Sequence, residues 1–152
     1  MNPAELVASF AGAGRSPVAP GTAGSLAALV LGALAMHGPA WLLPTLAVTA
    51  TIAGLLAIPR AVPDRDADPG WVVIDEVAGQ WIAMLGLGAA TPLGLLAAFV
   101  LFRVLDIAKP GPIGWADNKP GAIGIMLDDV LAGLIAAAIL LAARHAGFGG
   151  LL

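Results

Sequence analysis

The segment that most constrains the fold is residues 123–143, an apolar run long enough to cross a bilayer as a helix. Two adjacent acids, Asp128 and Asp129, lie about one turn beyond its start. A carboxylate at membrane depth is expensive, so such acids indicate a functional site or one half of an ion pair. The fold must therefore supply a role or a partner for this pair.

The whole chain is poor in charge. Of its 152 residues, 59% are hydrophobic and 11% are charged, whereas about a quarter are charged in a typical soluble domain. This composition predicts a membrane protein, and the length predicts a single domain over residues 1–152. The net charge of −3 and the lack of a basic stripe argue against nucleic-acid binding. The absence of cysteine excludes disulfides and thiolate metal sites.

Five apolar runs separated by Pro and Gly predict an all-α fold. Their length and their Ala and Leu content favour helices over strands. A short N-terminal helix is also predicted, because Asn2 can cap it, Pro3 suits its first position and Glu5 its third. The expected fold is a small polytopic membrane bundle of about four to five hydrophobic helices plus this short helix. The runs are residues 23–36, 41–58, 71–87, 92–108 and 123–143. Their predicted start signals are Thr22 or Ser25, Gly38-Pro39, Asp68-Pro69, Thr91-Pro92 and residues 121–124.

The charges fall on one side when these runs are threaded up and down through a membrane. The connections 37–40 and 88–91 contain no Asp, Glu, Lys or Arg. The segment before the first run and the loops 59–70 and 109–122 lie on the other side, which the positive-inside rule makes cytoplasmic. The cations on that side are Arg15, Arg60, Arg65, Lys109 and Lys119.

Carboxylates from three runs are expected at similar depth near this cytoplasmic boundary. Asp75 and Glu76 lie just inside the third run, Arg103 and Asp106 lie near the end of the fourth, and the aspartate pair lies near the start of the fifth. Clustered acids repel one another unless a cation or protons intervene. All-oxygen ligands suit Mg²⁺, which often takes further ligands from a phosphate. Alternatively, Arg103 and Asp106 simply neutralise each other across three residues, although this leaves the other acids without enough cations.

Two further features could bind an anion. In "SPVAPGTAGSL", residues 16–26, small residues and hydroxyls at a helix N-terminus suit an anion site, although a Thr or Ser cap explains the same letters. Lys109 precedes Pro110 at the predicted membrane surface, where it could meet a lipid phosphate or extend to the interface as an ordinary lysine. The residues of the first feature are Gly21, Thr22, Gly24 and Ser25.

Four motifs in order resemble the phosphatidylglycerophosphatase A family of bacterial inner-membrane enzymes. They are "SPVAPGTAGSL", "VIDEVAGQW", "LFRVLDIAKPGPI" and "GAIGIMLDDVLAG", and together they spread over residues 12–135. One departure is visible, because a Gly-Gly pair is expected before the Gly-Ile-Met segment and the chain has Gly121-Ala122. This difference affects the contact expected from that loop.

The resemblance implies a function and a set of site residues. It implies Mg²⁺-dependent removal of the terminal phosphate from phosphatidylglycerophosphate, giving phosphatidylglycerol, in the bacterial inner membrane. The apolar runs and the charge distribution predict a multi-pass protein whose active site faces the cytoplasm. Metal-activated water or a carboxylate could be the nucleophile. The expected catalytic residues are Asp75, Glu76, Arg103, Asp106, Asp128 and Asp129. The expected substrate-binding residues are Gly21, Thr22, Gly24, Ser25, Arg103 and Lys109, with Pro20 and Pro110 in the same motifs. The expected metal ligands are Asp75, Glu76, Asp128 and Asp129.

Other protein classes could use the same acids. A cation- or proton-coupled membrane carrier is the strongest alternative, but carriers usually place their site near mid-membrane rather than at one boundary. A CDP-alcohol transferase would be carboxylate-rich too, but its Asp-Gly-x-x-Ala-Arg signature is not found here. A soluble helical domain is disfavoured by the low charge.

Overall fold

The computed structural model describes residues 1–64 and 69–152, and the regular secondary structure of these ranges is helical throughout. This confirms the all-α prediction for the described residues. Arg65 and the Asp68 of the third start signal lie outside them. The helices are α1 (Pro3–Ala8), α2 (Pro20–Ala35), α3 (Leu42–Ala61), α4 (Ile74–Met84), α5 (Pro92–Ala108), α6 (Pro112–Asp117) and α7 (Gly121–Ala143), with a 3₁₀ turn at Ala13–Arg15 and a π-helical turn at Arg144–Phe148.

Helix α4 is the centre of the bundle. It packs against α2, α3, α5 and α7, and nearly all of its residues are buried. Its backbone approaches α7 closely at Gly79 and Gly133, where an added Cβ at either glycine would collide with the opposite helix. Eleven residues of α-helix measure about 16 Å, about half of the hydrocarbon thickness. The third run, predicted to be a marginal span, therefore forms a shorter helix that is enclosed by its neighbours.

Helix α4 begins at Ile74, three residues later than the predicted start of the third run, because the preceding residues contact the end of α1. Val73 has neither helical nor extended backbone, with φ −142° and ψ 6°, and its N–H donates to the carbonyl of Ala8 at 2.9 Å. This hydrogen bond joins the residues before α4 to the end of α1. The β-branched residues Val72 and Val73 therefore precede the helix rather than begin it.

The outward faces of the surrounding helices are apolar. Exposed side chains include Leu34 of α2, Leu56 of α3, Val104 of α5 and Leu134 of α7. An apolar exterior of this extent fits contact with lipid. By length and composition, two of the described helical segments could cross a membrane, Leu42–Ala61 and Gly121–Phe148. The larger number of four to five spans stays a prediction.

The helix starts differ in how well the sequence predicted them. The N–H of Glu5 donates to Asn2 Oδ1 at 2.9 Å, and the N–H of Gly94 donates to Thr91 Oγ1 at 3.0 Å, as those capping predictions require. Helix α2 instead begins at Pro20 after Ala19, which has a left-handed φ of 48°, and no side chain caps it. The predicted Thr22 or Ser25 cap is therefore wrong.

Candidate active site

The acids predicted from three runs converge in two overlapping groups around the start of α4. In the first group, ligand oxygens of Asp75, Glu76 and Asp129 all lie within 4.8 Å of one another. In the second, the same holds for Asp106, Asp128 and Asp129. Asp129 belongs to both groups and is only 2% exposed. The close approach of α4 and α7 at Gly79 and Gly133 brings the carboxylates of these two helices together.

The adjacent aspartates of α7 have different surroundings. Asp128 Oδ1 accepts the N–H of Asp129 at 2.9 Å, and its Oδ2 accepts from Lys109 Nζ at 2.7 Å. Asp129 Oδ1 is buried and has no hydrogen-bond partner among the described residues. A buried carboxylate oxygen without a partner is costly unless a ligand binds it. The oxygen-only donor set and this oxygen both fit a hard cation such as Mg²⁺.

Arg103 connects the acids to helix α2. Its Nη1 lies 2.5 Å from Asp106 Oδ2 and 3.8 Å from Glu76 Oε1. The same nitrogen lies 3.5 Å from Ser25 Oγ, the hydroxyl of which donates to the Gly21 carbonyl at 2.9 Å. The alternative ion pair between Arg103 and Asp106 is present, but the guanidinium also contacts two other elements.

The first turn of α2 lies directly against this cluster. A Cβ added to Gly21 would overlap Glu76 Oε1 and would lie 3.4 Å from Arg103 Nη1. Glycine at this position therefore allows the α2 backbone to approach the carboxylate. The helix N-terminus has free backbone N–H groups that favour anions. Gly24 instead packs on Val73, because a Cβ added to Gly24 would lie 2.7 Å from the Val73 Cβ. Thr22 lies in the same turn and is half-buried.

Lys109 contacts the second group of acids from the end of α5. Its ammonium forms ion pairs with Asp128 and with Asp117. Burial lowers the pKa of Lys109, but the hydrogen bonds to Asp117 and Asp128 outweigh this and raise the pKa above its ordinary value. The ammonium therefore stays charged throughout the neutral range. Pro110 follows it and leads into α6.

Sequence reasoning missed two polar residues near the site. Asp117 ends α6 and pairs with Lys109, but its segment was predicted to be a loop, and the signal was only a carboxylate eight residues after a lysine. Gln80 lies one turn after Glu76 on α4, is fully buried, and its amide has no partner among the described residues. A lone polar residue inside an apolar run was the available signal for Gln80.

The geometry supports one kind of chemistry. Two groups of acids that share Asp129 can hold a hard cation, and two protein cations with a helix N-terminus lie beside them. A doubly charged phosphate is the ligand class that needs both a metal ion and Arg or Lys contacts. The arrangement therefore suits phosphate-ester chemistry.

Residues 6–144 match the sequence profile of the family described as Phosphatidylglycerophosphatase A. The chain is 42% identical to phosphatidylglycerophosphatase A of Escherichia coli, across 95% of this chain and 85% of the relative. It is 36% identical to the protein of that name from Haemophilus influenzae, across 95% and 91%. It is 37% identical to a Bacteroides thetaiotaomicron protein named "Putative phosphatidylinositol-3-phosphatase", across 91% and 92%. No solved structure matches the chain.

Proposed function

The chain belongs to the phosphatidylglycerophosphatase A family, and we propose that its acid cluster hydrolyses the terminal phosphate of phosphatidylglycerophosphate to give phosphatidylglycerol. The strongest support for this proposal is the arrangement of the acids and Arg103. Oxygens of Asp75, Glu76 and Asp129 lie within 4.8 Å of one another, and Arg103 lies 3.8 Å from Glu76. A phosphatase needs such a concentration of metal ligands beside a phosphate-binding cation.

We propose that the cofactor is Mg²⁺ and that Asp75, Glu76 and Asp129 hold it. Asp128 belongs to the overlapping group and lies at the edge of this site, where both of its oxygens already accept protein hydrogen bonds. When bound, the ion would compensate the charge of the phosphate oxygens and lower the pKa of a coordinated water. Support comes from the all-carboxylate donor set and from Asp129 Oδ1, which is buried and has no partner in the described part of the chain.

The protein's own groups then have distinct roles in the proposed reaction. Arg103 and Lys109 bind the phosphate oxygens, and the first turn of α2, with Gly21 and Thr22, offers backbone N–H groups to the same anion. A water oxygen attacks phosphorus, the bond from phosphorus to the lipid oxygen breaks, and that oxygen takes a proton to become the phosphatidylglycerol hydroxyl. A carboxylate of the cluster accepts the proton that the attacking water loses.

The proposed location is the bacterial inner membrane, with several spans and the site on the cytoplasmic side. The apolar outer faces of α2, α3, α5 and α7 support a bundle in which these four helices surround α4. The ends of α3 and α5 both lie near the start of α7, because Pro59 and Gly121 line the same cavity and Lys109 pairs with Asp128. Arg60 and Lys109 are therefore at one end of the bundle, as the positive-inside rule requires. Accessibility labelling of cysteines placed at 63 and 118 should report cytoplasm, and labelling at 38 should report periplasm. The opposite result would contradict this orientation.

A mixed-micelle assay tests the function directly. Purified protein should release phosphate from phosphatidylglycerophosphate faster than from phosphatidic acid, phosphatidylinositol 3-phosphate or glycerol phosphate. EDTA should abolish turnover, and added Mg²⁺ should restore it. Equal rates on all lipids would leave a general lipid phosphatase. Full turnover by metal-free protein would refute the metal role.

The alternative of a cation- or proton-coupled carrier predicts a different result. A carrier should move ions across vesicles in the absence of any lipid phosphate. Flux without phosphate release would therefore replace the proposed function with the carrier.

A further inference from the structure

Lys109 is held by carboxylates from two different helices. Its ammonium pairs with Asp117 at the end of α6 and, at 2.7 Å, with Asp128 Oδ2 in α7. The Asp128 side chain is 6% exposed, whereas the Asp117 side chain is 42% exposed. Lys109 therefore lies between a buried acid of the cluster and an acid at the surface.

The backbone around Lys109 is shaped to bring Asp117 to it. Lys109 has a left-handed φ of 45°, which is unfavourable for a residue with a side chain. The chain then turns at Gly111, where φ is 53°, and α6 packs back against Lys109. A Cβ added to Gly114 would lie only 2.7 Å from the Lys109 carbonyl oxygen. The segment from Lys109 to Asp117 is therefore a tightly closed unit.

The role proposed for this segment follows from the number of N–H donors that a lysine ammonium has. A lysine ammonium has three N–H donors on a flexible four-carbon stem. Asp117 of α6 and Asp128 of α7 each accept a hydrogen bond from the ammonium, so two helices hold Nζ and one of its three N–H donors remains. We propose that Asp117 is a positioning residue that, together with Asp128, holds the Lys109 ammonium so that its remaining N–H binds the phosphate of the substrate. This role rests on the proposed function.

An ordinary surface ion pair is the competing explanation, because exposed pairs often contribute little. The two explanations differ in what happens when Lys109 is absent. If Asp117 acts through Lys109, its removal has no further effect in a protein that lacks the ammonium. If Asp117 only supports the fold of α6, its removal has the same effect in both backgrounds.

The test is a double-mutant cycle with the full chain in mixed micelles and phosphatidylglycerophosphate as substrate. Asp117→Asn should lower kcat/KM about tenfold, mainly through KM, because one charge-assisted contact to Lys109 is lost. Asp117→Glu should restore most of this loss. Lys109→Gln and the double variant Lys109→Gln with Asp117→Asn should be equally impaired. Glu5→Gln is the matched control, because Glu5 also pairs with an exposed cation, Arg15 at 3.7 Å, and should leave activity unchanged.

A second readout separates this role from the function itself. Binding of inorganic phosphate by wild type, Asp117→Asn and Asp117→Glu is measured by calorimetry in the presence of Mg²⁺, with thermal unfolding as the check on folding. We expect about tenfold weaker phosphate binding for Asp117→Asn alone. Wild-type phosphate binding in Asp117→Asn, or equal losses with and without Lys109, would overturn the positioning role. A wild type that binds phosphate but releases none from the lipid would refute the proposed function, and the comparison of phosphate binding between wild type and Asp117→Asn would then still decide whether Asp117 positions Lys109 toward a phosphate.

Discussion

Replacing Gly21 by alanine should damage catalysis while leaving the fold in place. An added Cβ would overlap Glu76 Oε1 and would lie 3.1 Å from its Cδ. The carboxylate must therefore move by about 1 Å to reach ordinary contact distance. Because the Glu76 carboxylate is at the end of a flexible side chain, it can move without displacing a helix. Alanine also favours helix over glycine by up to about 1 kcal/mol, which offsets the cost of the movement.

The same movement is large for a metal ligand. A misplacement of about 1 Å at a reacting centre can cost roughly 10²-fold in rate, equivalent to about 2.7 kcal/mol of transition-state stabilisation. We therefore expect Gly21→Ala to lower kcat on phosphatidylglycerophosphate about a hundredfold, with a thermal midpoint close to that of the wild type. Phosphate release in mixed micelles and thermal unfolding in detergent measure the two quantities.

Gly32→Ala is the matched control for this prediction. Gly32 lies three turns further along α2, and a Cβ there would lie 2.8 Å from Met84 Cε and 2.9 Å from Trp81 Cδ1, remote from the acids. It should affect unfolding more than turnover. Wild-type turnover by Gly21→Ala would refute the argument, and so would an equal loss of activity in the two variants.

Three further predictions test other parts of the site. Asp129→Asn should weaken Mg²⁺ binding at least tenfold in calorimetry, whereas Asp128→Asn should weaken it less, because Asp129 Oδ1 has no partner among the described residues and both Asp128 oxygens already accept hydrogen bonds. Arg103→Lys should lower kcat at least tenfold, since an ammonium cannot contact two oxygens as a guanidinium does; normal turnover would mean that Arg103 only neutralises Asp106. Gly79→Ala should lower both the unfolding midpoint and the activity, because a Cβ there would lie 2.7 Å from the backbone carbonyl oxygen of Asp129.

The sequence was informative where a single physical property determines the structure. The positions of Asp75, Asp106 and Asp128 within their apolar runs predicted that they lie at similar depth, because threading the runs fixes which ends share a side. Asn2 and Thr91 predicted their helix caps, since capping depends on neighbouring residues alone. The first inference depends on the order of the apolar runs and the second on neighbouring residues, and the sequence records both directly.

The remaining features depend on contacts between distant residues. Helix α2 begins at Pro20 without a side-chain cap, because its first turn packs against Glu76 and Arg103. Helix α6 could not be predicted from six residues that start with Pro, since its position depends on the left-handed turn at Lys109. The shortness of α4 depends on the hydrogen bond from Val73 to Ala8, which joins segments more than sixty residues apart. Periodicity and propensity do not encode such contacts.

The enclosure of α4 has a consequence for how the protein is made. In the proposed membrane location α4 should insert poorly alone, since its eleven residues are too short to span the bilayer and its first turn carries two acids, Asp75 and Glu76. During synthesis α4 emerges before α5 and α7, which supply the Phe102 ring and the Asp129 backbone that pack on Gly79. The faces of α4 that pack on α5 and α7 therefore stay uncovered in the nascent chain until α7 has been synthesised. Folding of this enzyme should therefore be completed only after α7 has been synthesised. A chain that is truncated before α7 should be degraded by quality-control proteases.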